Sequence, residues 1–357
     1  MIQLTSLPKF YSAVKDHRRV EQEIHRLLKC NLQGKYIARR EERTGLLRYT
    51  QKNFFSILFL SIYQALGMGR ERRLFYGQIN HCLRGLVTGT DNLLDNEYKE
   101  MLPLAFPETA TRFKSVMHIL LFDRFLFQVV ERAVDAEVIG RGESELVRRR
   151  LFEALVPIGA EESQEEGGVT EILAPEEILS SVHMYKGGKL LCLAFVAPLL
   201  IEKELHRGLA QAEKGIYSIG MALQMIDDLT DFHEDIEASN HNYLVSTVYH
   251  LGTDEEKKSL SGFLETGADP GPIETAFPHS TRLAMHRAIT EALEGFDILN
   301  RAGYWMTRSS ARKLIRYLFR LRGVERLLPF FPEEEPAAAE EVHVPGSGRP
   351  VPGLRHG

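Results

Sequence analysis

The chain has 357 residues, a formal net charge of −5 and three cysteines. Hydrophobic residues make up 44% and charged residues 26%, which are the proportions of an ordinary folded protein. Because there is no overall positive charge, the sequence argues against nucleic acid as a partner. Cys30, Cys82 and Cys192 are far apart and form no CxxC pair, so they predict neither a disulfide framework nor a zinc site.

The sequence shows no targeting or membrane signal. The N-terminus has no basic segment leading into an apolar run. The longest apolar runs, such as Leu190–Ile201, fall short of the roughly 20 residues that a membrane-spanning helix needs. We therefore expect a cytoplasmic protein with no integral membrane segment.

Apolar residues recur at steps of three and four along most of the chain, which is the pattern of helices with one buried face. The clearest stretches are 54–66, 74–94, 113–138, 205–236 and 281–328. The stretch 190–200 is apolar all round, which is typical of a buried helix. No alternating strand pattern is evident. The sequence therefore predicts an all-α fold, a single large helical bundle of about ten helices.

The composition changes near the C-terminus. From Glu333 onward the chain is acidic and then rich in Pro, Gly and Ala. Such a segment has too little apolar surface to offset the entropy lost on ordering. We therefore predict one helical domain over residues 1–332 and a disordered tail over residues 333–357.

A first acidic cluster lies at the end of a long apolar helix. Four residues advance a helix by about 400°, so Asp91 and Asp95 share one face about 6 Å apart. Two carboxylates at that separation repel each other unless a cation lies between them. Mg²⁺ fits this role, because it accepts one or two carboxylates and completes its shell with water and phosphate oxygens. The alternative is an acidic helix end that is simply solvated.

A second acidic cluster follows another apolar helical run. Asp227 and Asp228 are followed by Asp231 and Asp235, and the residues at 227, 231 and 235 step by four along one helix face. Three carboxylates on one stripe are crowded, and metal ions would relieve the crowding. The two clusters together predict a metal site.

The sequence resembles a known family at these two clusters. The segment from Gly220 to Phe232 resembles the second aspartate-rich motif of the trans-prenyl diphosphate synthases, which belong to the class I isoprenoid synthases. That motif runs from Gly through a few apolar residues and Phe-Gln-Ile to DDxxD. The first cluster resembles the other DDxxD motif of this family, with Asn92 in place of the second aspartate. The resemblance spans about residues 40 to 250.

The resemblance implies a helical bundle around a deep apolar cavity, with the two clusters facing each other across its mouth. Asp91, Asp95, Asp227 and Asp231 would hold Mg²⁺ against the diphosphate of a prenyl substrate, and Asp228 and Asp235 join the candidate metal ligands. The enzyme would ionise an allylic prenyl diphosphate and condense it with a second prenyl unit. The family also implies a homodimer.

The resemblance further implies residues that hold the diphosphates. Lys189 is the first candidate and Lys186 the second, and the alternative for both is a solvent-facing lysine in a glycine-rich loop. Gln224 matches the substrate-side glutamine, although a buried, hydrogen-bonded glutamine would look the same. Arg43, Arg48 and Lys52 are the nearest candidates for an early Gly-Gly-Lys-Arg segment that the chain lacks in clear form.

The chain also departs from the family. Where an Arg pair usually follows the first motif, this sequence has only Lys99 and Glu100. The departure leaves two alternatives to elongation by isopentenyl diphosphate. One is a terpene cyclase, whose metal triad has the i, i+4, i+8 spacing of Asp227, Asp231 and Asp235, or a head-to-head synthase of the squalene and phytoene type on the same fold. The other is a helical binding protein that has lost the chemistry.

Overall fold

The computed structural model describes residues 7–39, 45–94, 98–304, 306–321 and 323–332. Within these residues the chain forms fifteen α-helices and no β-strand, which confirms the all-α prediction. The predicted tail over 333–357 lies outside the described residues. The helices, in chain order, are α1 Leu7–Asn31, α2 Leu46–Lys52, α3 Phe54–Ala65, α4 Arg70–Leu94, α5 Thr111–Asp135, α6 Arg141–Gln164, α7 Pro175–Ile178, α8 Leu190–Ile201, α9 His206–Thr230, α10 Phe232–Ala238, α11 Tyr243–Leu251, α12 Asp254–Thr266, α13 Ile273–Ala276, α14 Pro278–Arg301 and α15 Arg308–Leu321.

The described residues contain more helices than the predicted ten, because several continuous patterns are broken in the structure. The stretch 205–236 divides at Asp231 into α9 and α10. The stretch 281–328 divides near Gly303, whose φ of +100° is open to glycine but not to most residues. Hydrophobic periodicity continues across such breaks, since both pieces bury the same side.

Buried apolar side chains from α1 to the 3₁₀ segment Glu325–Phe330 form one continuous core. Helix α8 lies in the middle of it, in contact with α4, α6 and α9. Its sequence is apolar on every side because it has neighbours on several sides, as the pattern over 190–200 predicts.

One helical stretch in the described part of the chain, Pro175–Ile201, is long and apolar enough to cross a membrane. It exceeds the apolar run seen in the sequence because the π-helical segment Leu179–Lys189 joins α7 to α8 without a break. Half of its most apolar window is buried inside the protein. The stretch contacts α6 and α9, so its apolar character is that of a core helix.

Helix α8 runs antiparallel to both α4 and α9. On the α4 side, Tyr76 near the start of α4 donates to Glu202 at the end of α8. On the α9 side, the thiol of Cys192 near the start of α8 donates to the carbonyl of Glu213 at 3.6 Å. The earlier residue His183 lies 2.9 Å from Asp228, fifteen residues beyond Glu213. Helices α4 and α9 therefore run in the same direction and end on the same side of the molecule.

Glycines allow the π-helical segment to lie directly against α9. A Cβ atom at Gly187 would lie 2.5 Å from the carbonyl oxygen of Gly220, and one at Gly220 would lie 2.8 Å from the carbonyl carbon of Gly187. Both obstacles are main-chain atoms, which cannot rotate away. The segment and α9 can keep this separation only if both positions lack a side chain.

We predict that Gly220→Ala lowers the free energy of unfolding by about 1–3 kcal/mol, because the added methyl group forces two backbones apart. Gly262→Ala in α12 is the matched control, since no atom lies within 4 Å of its Cβ position. That change should raise stability by about 0.5–1 kcal/mol through helix propensity. Urea denaturation of both variants checks the prediction. It would be contradicted if Gly262→Ala lost stability and Gly220→Ala did not.

Candidate active site

A cavity of about 480 Å³ lies between α3, α4, α8, α9, α14 and α15. Most of its lining side chains are apolar. Polar groups gather where α2 meets α4, namely Gln51, Lys52, Arg84 and Thr88. The cavity is therefore an apolar space with a cluster of polar residues on one wall, which suits a ligand with a hydrocarbon chain and a charged head.

Asp91 lies one helical turn beyond this cavity on α4. Val87 and Thr88 both line the cavity, and Asp91 follows them by four and three residues, so it continues the same helix face. On α9, Asp227 follows the lining residue Leu223 by four residues. Because α4 and α9 run in the same direction, both aspartates lie beyond the same end of the cavity. Asp95 lies outside the described residues.

The second acidic cluster bends at Asp231. Helix α9 ends at Thr230 and α10 begins at Phe232. The amide of Asp231 still donates to the carbonyl of Asp227, and the amide of Asp235 to that of Asp231, both at 2.8 Å. The helical hydrogen-bond pattern therefore continues through the bend, with the Asp231 side chain exposed.

Asp228 turns into the protein instead of toward the cavity. Its side chain accepts from the amide of Tyr243 at 2.6 Å and from Nε2 of Gln224 at 3.1 Å, and Nε2 of His183 lies 2.9 Å away. Asp228 is only 3% exposed. A carboxylate with three protein partners and no open side conflicts with the prediction that Asp228 is a metal ligand. It anchors the end of α9 instead.

Asp235 lies at the edge of this buried network. Nδ2 of Asn242 donates to Asp235 at 2.8 Å and to the carbonyl of Asp228 at 2.7 Å. Burial and the charge of Asp228 raise the pKa of Asp235 to about 7, while hydrogen bonds from Asn242 and Asn240 act in the opposite direction. Asp235 therefore lacks a full negative charge near neutral pH unless a cation is close.

Lys186 is already neutralised by two carboxylates at the end of α6. Its Nζ lies 3.0 Å from Glu162 and 2.5 Å from Glu165. Burial acts to lower the pKa of Lys186, but these two charges outweigh burial and raise it. In this arrangement Lys186 is a charged member of an ion-pair cluster between the π-helical segment and α6.

Lys189, the first predicted diphosphate ligand, lies well away from the acidic helix ends. Its Nζ is 6.0 Å from the ring centroid of Tyr217. Tyr217 precedes Asp227 by ten residues, which is about 15 Å along α9. Lys189 therefore lies beside the middle of α9, and its role as a diphosphate ligand stays a prediction. Spacing along the sequence could not show that the segment Leu179–Lys189 runs down α9 and away from Asp227.

Gln224, expected on the substrate side, uses its Nε2 for Asp228. Its neighbours Ala222 and Leu223 line the cavity, and Gln224 does not. Within the described residues it therefore belongs to the network that anchors Asp228.

Two cations lie on the polar wall of the cavity. Lys52 lines the cavity and is exposed, whereas Arg48 is exposed one turn earlier in α2 and does not line it. Arg43 lies outside the described residues. Arg84 also lines the cavity. It donates to Oδ1 of Asn53 at 2.9 Å and to the carbonyl of Lys52 at 3.0 Å. These bonds fix a positive charge beside Lys52.

Arg84 is not among the candidates predicted from the sequence. Burial lowers its pKa, and Glu21 and Tyr49 act in the opposite direction, so the guanidinium stays charged. A signal was present in the spacing. Arg84 precedes Asp91 by seven residues, or two helical turns, which places both residues on one face of α4.

The carboxylates that remain fit Mg²⁺. The described residues contain no group of three or more His, Cys, Asp or Glu side chains that could hold a metal ion. Mg²⁺ usually binds through one or two carboxylates and takes its other oxygens from water and substrate phosphates. Asp91, Asp227 and Asp231 stay the candidate ligands for a Mg²⁺ ion shared with a diphosphate.

No protein-family profile and no curated protein matches the chain in sequence. Solved structures do match. The geranylgeranyl pyrophosphate synthetase of Pyrococcus horikoshii has a TM-score of 0.57 at 14% identity, covering 87% of this chain and 98% of its own. The octaprenyl pyrophosphate synthase of Helicobacter pylori has 0.56 at 14%, covering 85% and 98%. The decaprenyl diphosphate synthase of Rhodobacter capsulatus has 0.55 at 16%, covering 87% and 99%. The chain therefore has the all-α fold of the trans-prenyl diphosphate synthases.

Proposed function

We propose that the chain is a Mg²⁺-dependent prenyltransferase that ionises an allylic prenyl diphosphate and condenses it with a second prenyl unit. One observation carries the proposal. Asp91 and Asp227 each lie one turn beyond residues that line the same apolar cavity, on helices that end on the same side. The solved structures with this fold are named as prenyl diphosphate synthases, which supports the same reaction class.

In the proposed site, Asp91, Asp227 and Asp231 would hold Mg²⁺. Asp95 is a further candidate ligand on the basis of the sequence alone, because it lies outside the described residues. Bound Mg²⁺ would neutralise the diphosphate as the allylic C–O bond breaks and its electron pair leaves with oxygen. The remaining steps belong to the protein. The apolar walls hold the hydrocarbon chain and exclude water from the allylic cation.

Lys52 and Arg84 are positioned to hold the diphosphate of the second prenyl unit, because they lie on the polar wall of the same cavity. The double bond of that unit attacks the cation and a new C–C bond forms. The released diphosphate then accepts one proton from the product cation, which restores a double bond. These two cations take the place of the Arg pair that the sequence lacks after the first motif.

Incubation with labelled geranyl, farnesyl and geranylgeranyl diphosphates tests the proposal, with and without isopentenyl diphosphate, in Mg²⁺ and in EDTA. We expect a longer prenyl diphosphate only when isopentenyl diphosphate and Mg²⁺ are both present. A hydrocarbon formed from one substrate alone would instead favour a cyclase or a head-to-head synthase. No diphosphate release under any condition would favour the non-catalytic binding protein.

The same proposal includes a homodimer. Helices α5 and α6 expose apolar side chains at helical spacing, and patches of this kind on a soluble surface mark interaction sites. The exposed residues on α5 and α6 are Phe113, Val116, Leu120, Phe127, Phe152 and Val156. A second copy of the chain would cover them.

We predict that Leu120→Glu converts the dimer to a monomer, because it places a charge in the middle of the apolar stripe on α5. Leu264→Glu in α12 is the matched control, since Leu264 is a similarly exposed leucine outside the stripe. Analytical ultracentrifugation gives the mass of both variants. A monomeric wild type, or a Leu120→Glu variant that stays dimeric, would rule out this interface.

A further inference from the structure

Asn92 stands where the resembled motif has its second aspartate, and it makes a closed pair of hydrogen bonds. Its Nδ2 donates to the carbonyl of Lys99 at 3.1 Å, and its Oδ1 accepts from the amide of the same residue at 2.9 Å. Asn92 is 4% exposed. The carboxamide therefore faces the protein and ties the end of α4 to the chain seven residues farther on.

The second acidic cluster repeats this arrangement. Asp228, which directly follows Asp227, is also buried and accepts from the amide of Tyr243, fifteen residues later. Successive residues on a helix point about 100° apart. When the first residue of each cluster faces the cavity end, the next residue turns inward.

The residue type at each position matches its partners. Asp228 accepts from N–H groups of Tyr243 and Gln224, so a carboxylate suits it. Lys99 offers one amide donor and one carbonyl acceptor, and the carboxamide of Asn92 pairs with both, whereas an ionised carboxylate can only accept. An aspartate at position 92 would place an anionic oxygen 3.1 Å from a carbonyl oxygen.

We propose that Asn92 is a positioning residue that holds Asp91 at the cavity end by clamping Lys99, and that its position is not a metal-ligand position that has lost its carboxylate. The inference rests on the proposed function, because that function gives Asp91 its role beside a metal-bound diphosphate. It reverses the expectation for a simple experiment. Restoring the aspartate of the family motif should impair the site and not improve it.

The test compares Asn92→Asp and Asn92→Ala with the wild type. Hydrogen–deuterium exchange at the Lys99 amide reports the clamp directly, and calorimetry with Mg²⁺ and inorganic pyrophosphate reports the site. We expect both variants to lose protection at Lys99 and to bind Mg²⁺-pyrophosphate at least about tenfold more weakly. Asn92→Asp should bind no better than Asn92→Ala, because the lost clamp outweighs any added charge.

Asn31→Asp is the matched control. Asn31 lies at the end of α1, and its Nδ2 also donates to a backbone carbonyl, that of Leu27, at 2.8 Å. This variant should keep the wild-type affinity for Mg²⁺-pyrophosphate, and thermal melting shows whether it stays folded.

Two results would overturn the inference. One is tighter binding by Asn92→Asp than by the wild type, which would make position 92 a ligand position. The other is unchanged protection at Lys99 in both variants, which would remove the clamp. A wild type that binds no Mg²⁺-pyrophosphate would instead refute the proposed function and the positioning role with it, while the exchange at Lys99 would still show whether the clamp exists.

Discussion

Replacing Asp227 by Asn should lower Mg²⁺-dependent diphosphate release by about 10²–10³-fold, the usual effect of removing one preorganised stabiliser of a developing negative charge. Asp227 continues the cavity-lining face of α9, and the proposed site places a diphosphate head against its carboxylate. Asparagine keeps the size of the side chain and removes its charge. A coupled assay for released pyrophosphate measures the effect.

Glu234→Gln controls for the loss of one negative charge in the same segment. Glu234 is exposed in the first turn of α10 and stands outside the 227, 231, 235 stripe. It should keep the wild-type rate, because its carboxylate lies off the face that carries the proposed ligands. Equal losses in both variants would mean that overall charge, and not the stripe, controls the activity.

Ala194→Phe should shorten the longest substrate that the cavity accepts. Ala194 lines the deep end of the cavity, since α8 runs antiparallel to α4. The hydroxyl of Tyr63 donates to the carbonyl of Ala194 and accepts from Nδ2 of Asn80 on α4. Asn80 precedes Asp91 by eleven residues, or about 16 Å along α4. We expect kcat/KM for geranylgeranyl diphosphate to fall at least tenfold relative to that for geranyl diphosphate, since excluding even one methylene from an apolar pocket costs about 10-fold or more.

The comparison between the two substrates serves as the control within one variant. Partial unfolding would lower both rates equally and leave their ratio unchanged. A ratio equal to that of the wild type would show that the hydrocarbon chain does not occupy this end of the cavity.

The helical architecture could be predicted because its signals are local. Apolar spacing of three and four residues reports one buried face per helix, and the all-round apolar stretch of α8 reports neighbours on several sides. The acidic clusters were equally visible, since both follow apolar helices and repeat at four residues. These signals also predict that Asp91 and Asp227 belong to faces that continue into the core.

The detailed roles within the site depend on partners distant in sequence. Adjacent aspartates such as Asp227 and Asp228 look equivalent until His183, 45 residues earlier, is seen to lie against one of them. Lys186 likewise resembles a free diphosphate ligand until α6 brings Glu162 and Glu165 to it. Sequence spacing describes one helix at a time and says nothing about what the next helix contributes.

The most direct test of the account is a crystal structure of the protein with Mg²⁺ and inorganic pyrophosphate. We predict a pyrophosphate at the cavity end between α4 and α9, with Mg²⁺ ions bridging its oxygens to Asp91 and Asp227 and with Asp228 still bonded to Tyr243. A pyrophosphate bound elsewhere, or metal ions on Asp228 and not on Asp227, would contradict the account.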